Sequence, residues 1–190
     1  MLLAMPKPRI LGGTAKGREI ETPQSGTRPS PSRLREALFD VLAFEPRSRF
    51  LDLYSGSGAI GLEAASRGWD ATSVELSPSA AAVIRRNAQR LALPVTVVTA
   101  DALAYADAHP GQFGVVFAAP PYPDDLTAIF TRVLASGAAA PGGLYVLQHP
   151  SAMVAPEPPP ELTGAAVKVK RYGTNSVTLV RLPQAAPATG

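Results

Sequence analysis

The chain has 190 residues, a length that fits one domain with a substantial core. Apolar residues make up 46% of it and charged residues 17%, which predicts a folded, soluble protein. The absence of cysteine excludes disulfides, thiolate nucleophiles and cysteine metal sites, and it suits a reducing compartment. Because the histidines are few and no segment approaches a transmembrane span, we expect a cytoplasmic protein without metal or membrane contacts. We also expect a monomer.

The net charge of +3 is unevenly distributed along the chain. Residues 1–50 carry nine Lys or Arg against five acids, residues 51–150 five against eight, and residues 151–190 four against two. Basic ends around an acidic middle favour a partner with a phosphate backbone. Ordinary solvated Lys and Arg side chains would give the same composition.

Residues 1–29 combine glycine, proline and basic side chains with two short extended runs, at 9–11 and 18–20. Gly12 and Gly13 between these runs indicate a turn, so we predict a small basic β-hairpin arm.

A helix is predicted to follow the arm. Ser30 can cap it, Pro31 suits its first turn, and Leu34, Leu38 and Leu42 recur at helical spacing.

Strand-like and helical segments then alternate from residue 49 onward. The predicted strands are 49–54, 71–76, 95–99, 114–118 and 144–148, and helices separate them. Two β runs, 165–171 and 176–182, follow with no helix between them and should pair as an antiparallel hairpin. Over residues 30–182 we therefore predict an α/β fold, a Rossmann-like, doubly wound, mostly parallel seven-stranded sheet with one antiparallel edge strand. We expect residues 183–190 to be a disordered tail.

A strand, a glycine loop and a helix start follow one another in residues 51–61, which read LDLYSGSGAIG. Gly56, Gly58 and Gly61 satisfy G-x-G-x-x-G, a spacing that brings backbone amides and a helix N-terminus against a nucleotide. We assign Tyr54 and Ser55 to the same cofactor loop.

Three carboxylates at predicted strand ends bear on which nucleotide the loop binds. Asp52 stands where a dinucleotide-binding strand is normally apolar, and it suits a cationic ligand such as the ammonium of a methionine moiety. Glu75, with Leu76 beside it, can accept both ribose hydroxyls. Asp101, followed by Ala102, can accept from an adenine amine.

These residues favour S-adenosylmethionine as the cofactor, with S-adenosylhomocysteine as its product. Two alternatives stay open. NAD in a nicotinamide-dependent oxidoreductase would use the same glycine spacing, and a structural glycine turn with capping acids would show the same residues.

The loop after the fourth predicted strand reads Ala119-Pro120-Pro121-Tyr122. Here the chain resembles the class I amino-methyltransferases, whose loop reads Asp/Asn-Pro-Pro-Tyr/Phe, and more narrowly the bacterial 16S ribosomal RNA guanine-N2 methyltransferases. The narrower resemblance extends over nearly the whole chain, through residues 9–13, 17–18, 27–30, 33–39 and 171–174. It implies a class I methyltransferase that transfers a methyl group to the exocyclic N2 amine of a guanine in 16S ribosomal RNA of the small ribosomal subunit.

The resemblance assigns the catalytic role to Ala119, Pro120, Pro121 and Tyr122. In the family, the Asp/Asn side chain and the carbonyl of the following proline accept the two hydrogens of the guanine amine, while the aromatic ring stacks on the base. Ala119 stands at the position of the acid and accepts nothing. One missing hydrogen bond of roughly 1–3 kcal/mol corresponds to about one or two decades in rate.

Three outcomes of this replacement stay open. The chain methylates guanine more slowly, or Asp124 or Asp125 replaces the acceptor, or the protein binds cofactor and RNA without turnover.

The resemblance also implies RNA contacts. It places Arg28, Arg33 and Arg35 near the site, where they would contact phosphates, and Arg9 and Arg18 on an outer surface that follows the backbone. A capped, solvated helix face would show the same arginines.

Overall fold

The computed structural model describes residues 6–24, 30–121 and 125–190. Helices and strands alternate in the order that the sequence predicts. The helices are Ser32–Val41 (α1), Ala59–Ser66 (α2), Pro78–Leu91 (α3), Ala102–Ala108 (α4) and Leu126–Ala135 (α5). The strands are Arg49–Leu53 (β1), Asp70–Glu75 (β2), Thr96–Thr99 (β3), Phe113–Ala118 (β4), Ala139–Pro150 (β5), Ala166–Tyr172 (β6) and Asn175–Arg181 (β7).

The seven strands form one sheet in the order β3-β2-β1-β4-β5-β7-β6. Strands β1 to β5 are parallel, and β7 runs antiparallel to both β5 and β6. The predicted α/β fold is therefore confirmed. The reversed strand is β7, one position in from the edge, because the β6–β7 hairpin folds back so that its second strand pairs with β5.

Apolar side chains cover both faces of the sheet. Residues such as Phe50 and Phe117 pack beneath α1, α2 and α3, whereas Leu53 and Val116 belong to a second cluster beneath α4 and α5. Burial on both faces explains why the central strands are almost continuously apolar.

Helix α1 begins two residues beyond the predicted capping serine. Pro31 occupies the N-cap position, and among the described residues no side chain caps this helix. The prediction that Ser30 caps α1 is wrong, because Ser30 lies one residue outside the position from which a hydroxyl reaches the first-turn amides.

The N-terminal segment, residues 6–24, packs against the sheet domain. Arg9 and Glu19 form an antiparallel bridge, and the side chains of Ile10 and Ile20 are fully buried. The Ala15 amide donates to Ser66 Oγ at 2.9 Å, which joins the turn of the segment to the end of α2.

The C-terminal residues 183–190 are exposed and form no helix or strand. Within residues 6–24, 30–121 and 125–190, no helix is both long and apolar enough to cross a bilayer.

Candidate cofactor and acceptor site

The two predicted loops leave the sheet side by side. Leu53 at the end of β1 pairs with Ala118 at the end of β4. From β1 the sheet continues to β2 and β3 on one side and to β4 and β5 on the other, so the direction in which strands are added reverses between β1 and β4. Ligands of open α/β sheets bind in the crevice at such a reversal, beyond the carboxyl ends of the strands. The fold thus brings the glycine loop and the Ala119 loop to one crevice.

The glycine loop has a backbone that requires glycine at two positions. Gly56 and Gly58 have φ of 56° and 78°, in the left-handed region. The Ser55 amide donates to the Val74 carbonyl at 3.0 Å and the Gly58 amide to the Ser55 carbonyl at 2.8 Å, which closes the turn. Helix α2 begins at Ala59, so the positive end of its dipole lies at the loop. The first-turn amides of Ala59 and Gly61 donate to Ser57 Oγ at 3.4 Å and to Asp52 Oδ2 at 3.1 Å.

Gly61 is required by close packing. A Cβ on Gly61 would lie 2.1 Å from Ser73 Oγ and 3.2 Å from Asp52 Oδ2. The first turn of α2 therefore rests directly on β1 and β2, which sets the height of its N-terminus above the crevice.

Asp52 is a buried carboxylate beneath the loop, 1% exposed. Its Oδ2 accepts a hydrogen bond from the Gly61 amide at 3.1 Å. Burial raises the pKa of the Asp52 carboxyl to about 7, against the opposing effect of this hydrogen bond. Because the pKa of this carboxyl lies so close to neutral pH, a nearby cation would stabilise its charged form.

Glu75 spans the glycine loop and the start of α3. Its Oε1 accepts from the Gly56 amide at 2.9 Å and its Oε2 from the Ser77 amide at 2.7 Å. A carboxylate offers about four acceptor positions, so each oxygen retains one for a ligand hydroxyl. Next to it, Leu76 is 68% exposed, an apolar side chain turned toward solvent at the crevice.

Asp101 lies beside Glu75, since the Ala100 amide donates to the Glu75 carbonyl at 3.1 Å. Its Oδ1 accepts from the Ala104 amide at 2.9 Å and caps α4, and Ala102 behind it is buried. The sequence left open both a ligand contact and a capping role for this acid, and one oxygen of Asp101 has the capping role.

Tyr54 follows β1 with φ 58°, a conformation that bulky residues rarely adopt. Its ring is half-buried and packs against the second apolar cluster. Such strain costs on the order of 1–3 kcal/mol and is typical of functional loops.

The Ala119 loop presents backbone groups and proline rings. Ala119 is half-buried against the first apolar cluster, Pro120 is buried and Pro121 is exposed. Tyr122 and Asp124 lie outside the described residues. Asp125 caps α5, with its Oδ1 accepting from the Ala128 amide at 3.1 Å.

The prediction that Arg35 contacts RNA is wrong. Its side chain is 1% exposed, and Nη1 pairs with Glu63 Oε1 at 3.1 Å and donates to the Arg9 carbonyl at 2.8 Å. Glu63, itself fully buried, also accepts from the amides of Leu11 and Gly12, each at 2.9 Å. Arg35 and Glu63 therefore fasten the N-terminal segment to α2.

The other predicted RNA contacts differ in their surroundings. Arg33 is exposed in the first turn of α1. Arg9 is exposed but paired with Glu19 at 2.7 Å, and exposed Arg18 donates to the Arg90 carbonyl at 3.1 Å. Arg28 lies outside the described residues.

The basic N-terminal segment lies away from the crevice. It contacts the carboxyl-terminal parts of α2 and α3, through Ser66 and through Asn87, whose side chain exchanges hydrogen bonds of 2.9 and 2.8 Å with the Glu21 backbone. These helices connect parallel strands and run opposite to them, so their carboxyl ends point to the far edge of the sheet.

Glu63 is the residue at this end of the molecule that sequence reasoning missed. A signal for the pair was present, because Arg35 precedes Leu38 and Phe39 by three and four residues and so shares their buried face. A charge on a buried helix face requires a buried partner.

Comparisons with known proteins agree with this architecture. Residues 8–181 match the family model described as Conserved hypothetical protein 95. The ribosomal RNA small subunit methyltransferase D of Escherichia coli K12 is 36% identical over 118 residues, which cover 60% of this chain and 60% of that relative's length.

Solved structures extend the likeness to nearly the whole chain. A hypothetical protein of Thermus thermophilus, TTHA0928, is 46% identical with a TM-score of 0.80 and covers 92% of this chain and 99% of its own. An RNA methyltransferase from Salinibacter ruber, solved with S-adenosyl-L-homocysteine, has a TM-score of 0.61 over 85% of this chain and 98% of its own. At 17% identity, the second likeness shows a shared fold alone.

Proposed function

The chain belongs to the Conserved hypothetical protein 95 family, and we propose that it is an S-adenosylmethionine-dependent methyltransferase acting on ribosomal RNA. Its acceptor is the exocyclic N2 amine of a guanine in 16S ribosomal RNA of the small subunit. The observation that carries the proposal is the pairing of Leu53 with Ala118, which sets a glycine loop over buried Asp52 beside a Pro-Pro loop. For this substrate class we propose a cytoplasmic location.

The residues around the glycine loop fit this cofactor. The free acceptor positions of Glu75 suit two ribose hydroxyls, and exposed Leu76 suits one face of adenine. Asp101 retains one oxygen beyond its capping bond for the adenine amine, and Asp52 favours the ammonium of the methionine part. When bound, S-adenosylmethionine supplies an electrophilic methyl group on a sulfonium.

A carboxylate at Asp52 also weighs against NAD. The pyrophosphate of a dinucleotide lies at the helix N-terminus, where a buried anion beneath the loop would repel it. The glycine spacing alone supports the oxidoreductase alternative, whereas Asp52 and the Pro-Pro loop support a methyltransferase.

The acceptor side orients the amine with fewer groups than usual. The carbonyl of Pro120 accepts one hydrogen of the guanine amine, and the ring of Tyr122 stacks on the base. Ala119 leaves the second hydrogen without a side-chain acceptor, so the lone pair of nitrogen is less well directed toward the crevice. The capping bond holds the Asp125 side chain at the first turn of α5, and we propose a slowed methyltransferase in which this residue does not replace the acceptor.

Ala119 supports a second candidate, a module that binds S-adenosylmethionine and RNA without turnover. Both candidates share the cofactor and the partner. They differ only in whether methyl transfer occurs.

Transfer of labelled methyl to immature small-subunit particles tests the proposal. We expect label in 16S ribosomal RNA, recovered as N2-methylguanosine after digestion to nucleosides, and no label in mature, fully methylated subunits. If the protein binds S-adenosylhomocysteine but the RNA stays unlabelled even with a large excess of protein over particles, catalysis is rejected and the second candidate remains.

A further inference from the structure

The edge strand β6 carries three cationic side chains within four residues. Lys168, Lys170 and Arg171 form this group, which we name the β6 ridge. Lys168 and Arg171 are exposed and Lys170 is half-exposed. The outer side of β6 has no neighbouring strand in the described sheet, and residues 154–158 line a surface pocket with Val167 near its start.

Acidic side chains come near strand β6 without pairing with the ridge, since Glu157 lines a surface pocket with Val167 and the charge of Asp40 acts on Tyr172. Glu161 is the last acidic residue of the sequence, so the remaining 29 residues carry basic charge alone. Within the described ranges, the ridge residues form no ion pair, whereas Arg9, Arg86 and Arg132 each pair with an acid.

The ridge ends at the same edge of the sheet as the crevice. Strands β5 and β6 are both antiparallel to β7, so β6 runs parallel to β5. Because β4 is parallel to β5, β6 also runs parallel to β4. Three strand spacings separate β6 from β4, a distance of about 14 Å. The carboxyl end of β6, at Arg171, therefore lies within a few nucleotides' reach of the Ala119 loop.

The turn beyond the ridge is held to the neighbouring strand. Ser151, just after β5, donates from its amide to the Thr174 carbonyl at 2.8 Å and from its hydroxyl to the Gly173 carbonyl at 2.9 Å. Arg171 Nε donates to the same Gly173 carbonyl at 3.3 Å. These bonds fix the end of the hairpin relative to the crevice.

The cations project from both faces of the edge. Lys168 and Lys170 lie opposite Leu179 and Val177, on the face covered by α1, while Arg171 lies opposite Ser176 and points to the other face. A nucleic-acid backbone that crosses the edge of the sheet can contact cations on both faces. A partner that lies flat against one face would contact only the cations on that face.

We propose that the β6 ridge binds phosphates of the RNA strand that flanks the target base. This inference rests on the proposed function and replaces the N-terminal segment as the RNA surface nearest the crevice. Phosphate contacts of this kind position the substrate without reading its sequence. The competing explanation is that lysines on an edge strand prevent pairing with other chains.

Two matched variants test the ridge. One replaces Lys168, Lys170 and Arg171 with Gln, and the control replaces Arg49, Arg86 and Arg132 with Gln, which removes the same formal charge from surfaces elsewhere. Binding of a 16S RNA fragment containing the target guanine is measured across a salt series for both and for the unmodified protein. Titration with S-adenosylhomocysteine and thermal unfolding verify that each variant is folded.

We expect the ridge variant to bind RNA at least tenfold more weakly than the control. The slope of log affinity against log salt should become less negative by about 2, because each of the three single-strand phosphate contacts contributes roughly 0.7 to that slope. A third variant, with Arg at 168 and 170 and Lys at 171, keeps the charge and should keep the affinity.

Equal RNA affinity and salt slope in the ridge variant and the control would overturn the proposal that the ridge binds RNA. If the ridge variant then also self-associates more strongly, the role of the ridge is to protect the sheet edge. Failure of the unmodified protein to bind RNA while it binds S-adenosylhomocysteine would instead reject the proposed function itself.

Discussion

On the cofactor side of the crevice, Asp52 and Glu75 accept hydrogen bonds from the backbone of the glycine loop, and Gly61 leaves no room for a side chain. On the acceptor side, Ala119 offers a methyl group at the position where the sequence resemblance implies an acceptor. The two sides are built on neighbouring strands but on separate loops.

We infer from this difference that the proposed cofactor binding and amine activation are separable. The polar groups under the glycine loop depend on β1, β2 and α2, none of which includes residue 119. A change at Ala119 should therefore alter the rate of methyl transfer and leave cofactor affinity intact, whereas changes under the glycine loop should weaken cofactor binding and, through it, methyl transfer.

The largest expected effect is that of Gly61→Ala. The new Cβ would collide with Ser73 Oγ and displace the first turn of α2, so affinity for S-adenosylhomocysteine should fall at least a hundredfold by calorimetry. The double variant Gly61→Ala, Ser73→Ala removes the colliding oxygen and should recover part of the affinity. Undiminished binding by the single variant would mean that α2 does not contact the cofactor.

Next in size is the effect of Ala119→Asp. Restoring an acceptor for the second amine hydrogen should raise the single-turnover rate of methyl transfer about tenfold to a hundredfold, the rate equivalent of one hydrogen bond. Ala119→Asn should give a similar gain and Ala119→Val none, while all three keep the cofactor affinity of the parent. An unchanged rate in both acceptor variants would show that another group already fills the role.

A smaller effect is expected from pH and from Asp52→Asn. Because the pKa of buried Asp52 is about 7, the carboxyl gains a proton below that pH and loses its attraction for the ammonium of the ligand. Affinity for S-adenosylhomocysteine should weaken as pH falls from 8 to 6 in the parent. In Asp52→Asn it should be about tenfold weaker at pH 8, the equivalent of one modest charge interaction, and nearly constant across this range.

The same group has the opposite effect on stability without ligand. The pKa of Asp52 is higher in the folded chain, about 7, than its ordinary value of 3.8. Its stabilising contribution is therefore complete below pH 3.8 and is lost as pH rises to about 7. The free energy of unfolding in urea should fall between pH 5 and 7 in the parent and change less in Asp52→Asn. Parallel pH profiles for the two proteins would contradict the burial of a titrating carboxyl.

Local pattern was sufficient for much of the fold and of the cofactor loop. Gly56, Gly58 and Gly61 follow a buried strand and precede a helix, and this arrangement can be recognised within eleven residues. Asp52 and Glu75 were predictable because the ends of parallel strands meet at one edge of a sheet.

Other features depend on which elements pack together in space. Arg35 was expected at the RNA surface, and its burial depends on Glu63, which lies on another helix 28 residues away. The position of the β6 ridge relative to the crevice depends on the pairing of β7 between β5 and β6. Helical spacing indicates that Arg35 shares a buried face with Leu38 and Phe39, but it does not identify the partner on another element. Likewise, the lack of acids after Glu161 is evident from the sequence, but the position of these residues beside the crevice is not.

Calorimetric titration with S-adenosylhomocysteine and, separately, with NADH tests the central claim most directly. We expect one binding site for S-adenosylhomocysteine, lost in Gly61→Ala, and no measurable heat with NADH. Binding of NADH in its place, or a folded protein that binds neither, would contradict the assignment of the glycine loop to a sulfonium nucleoside.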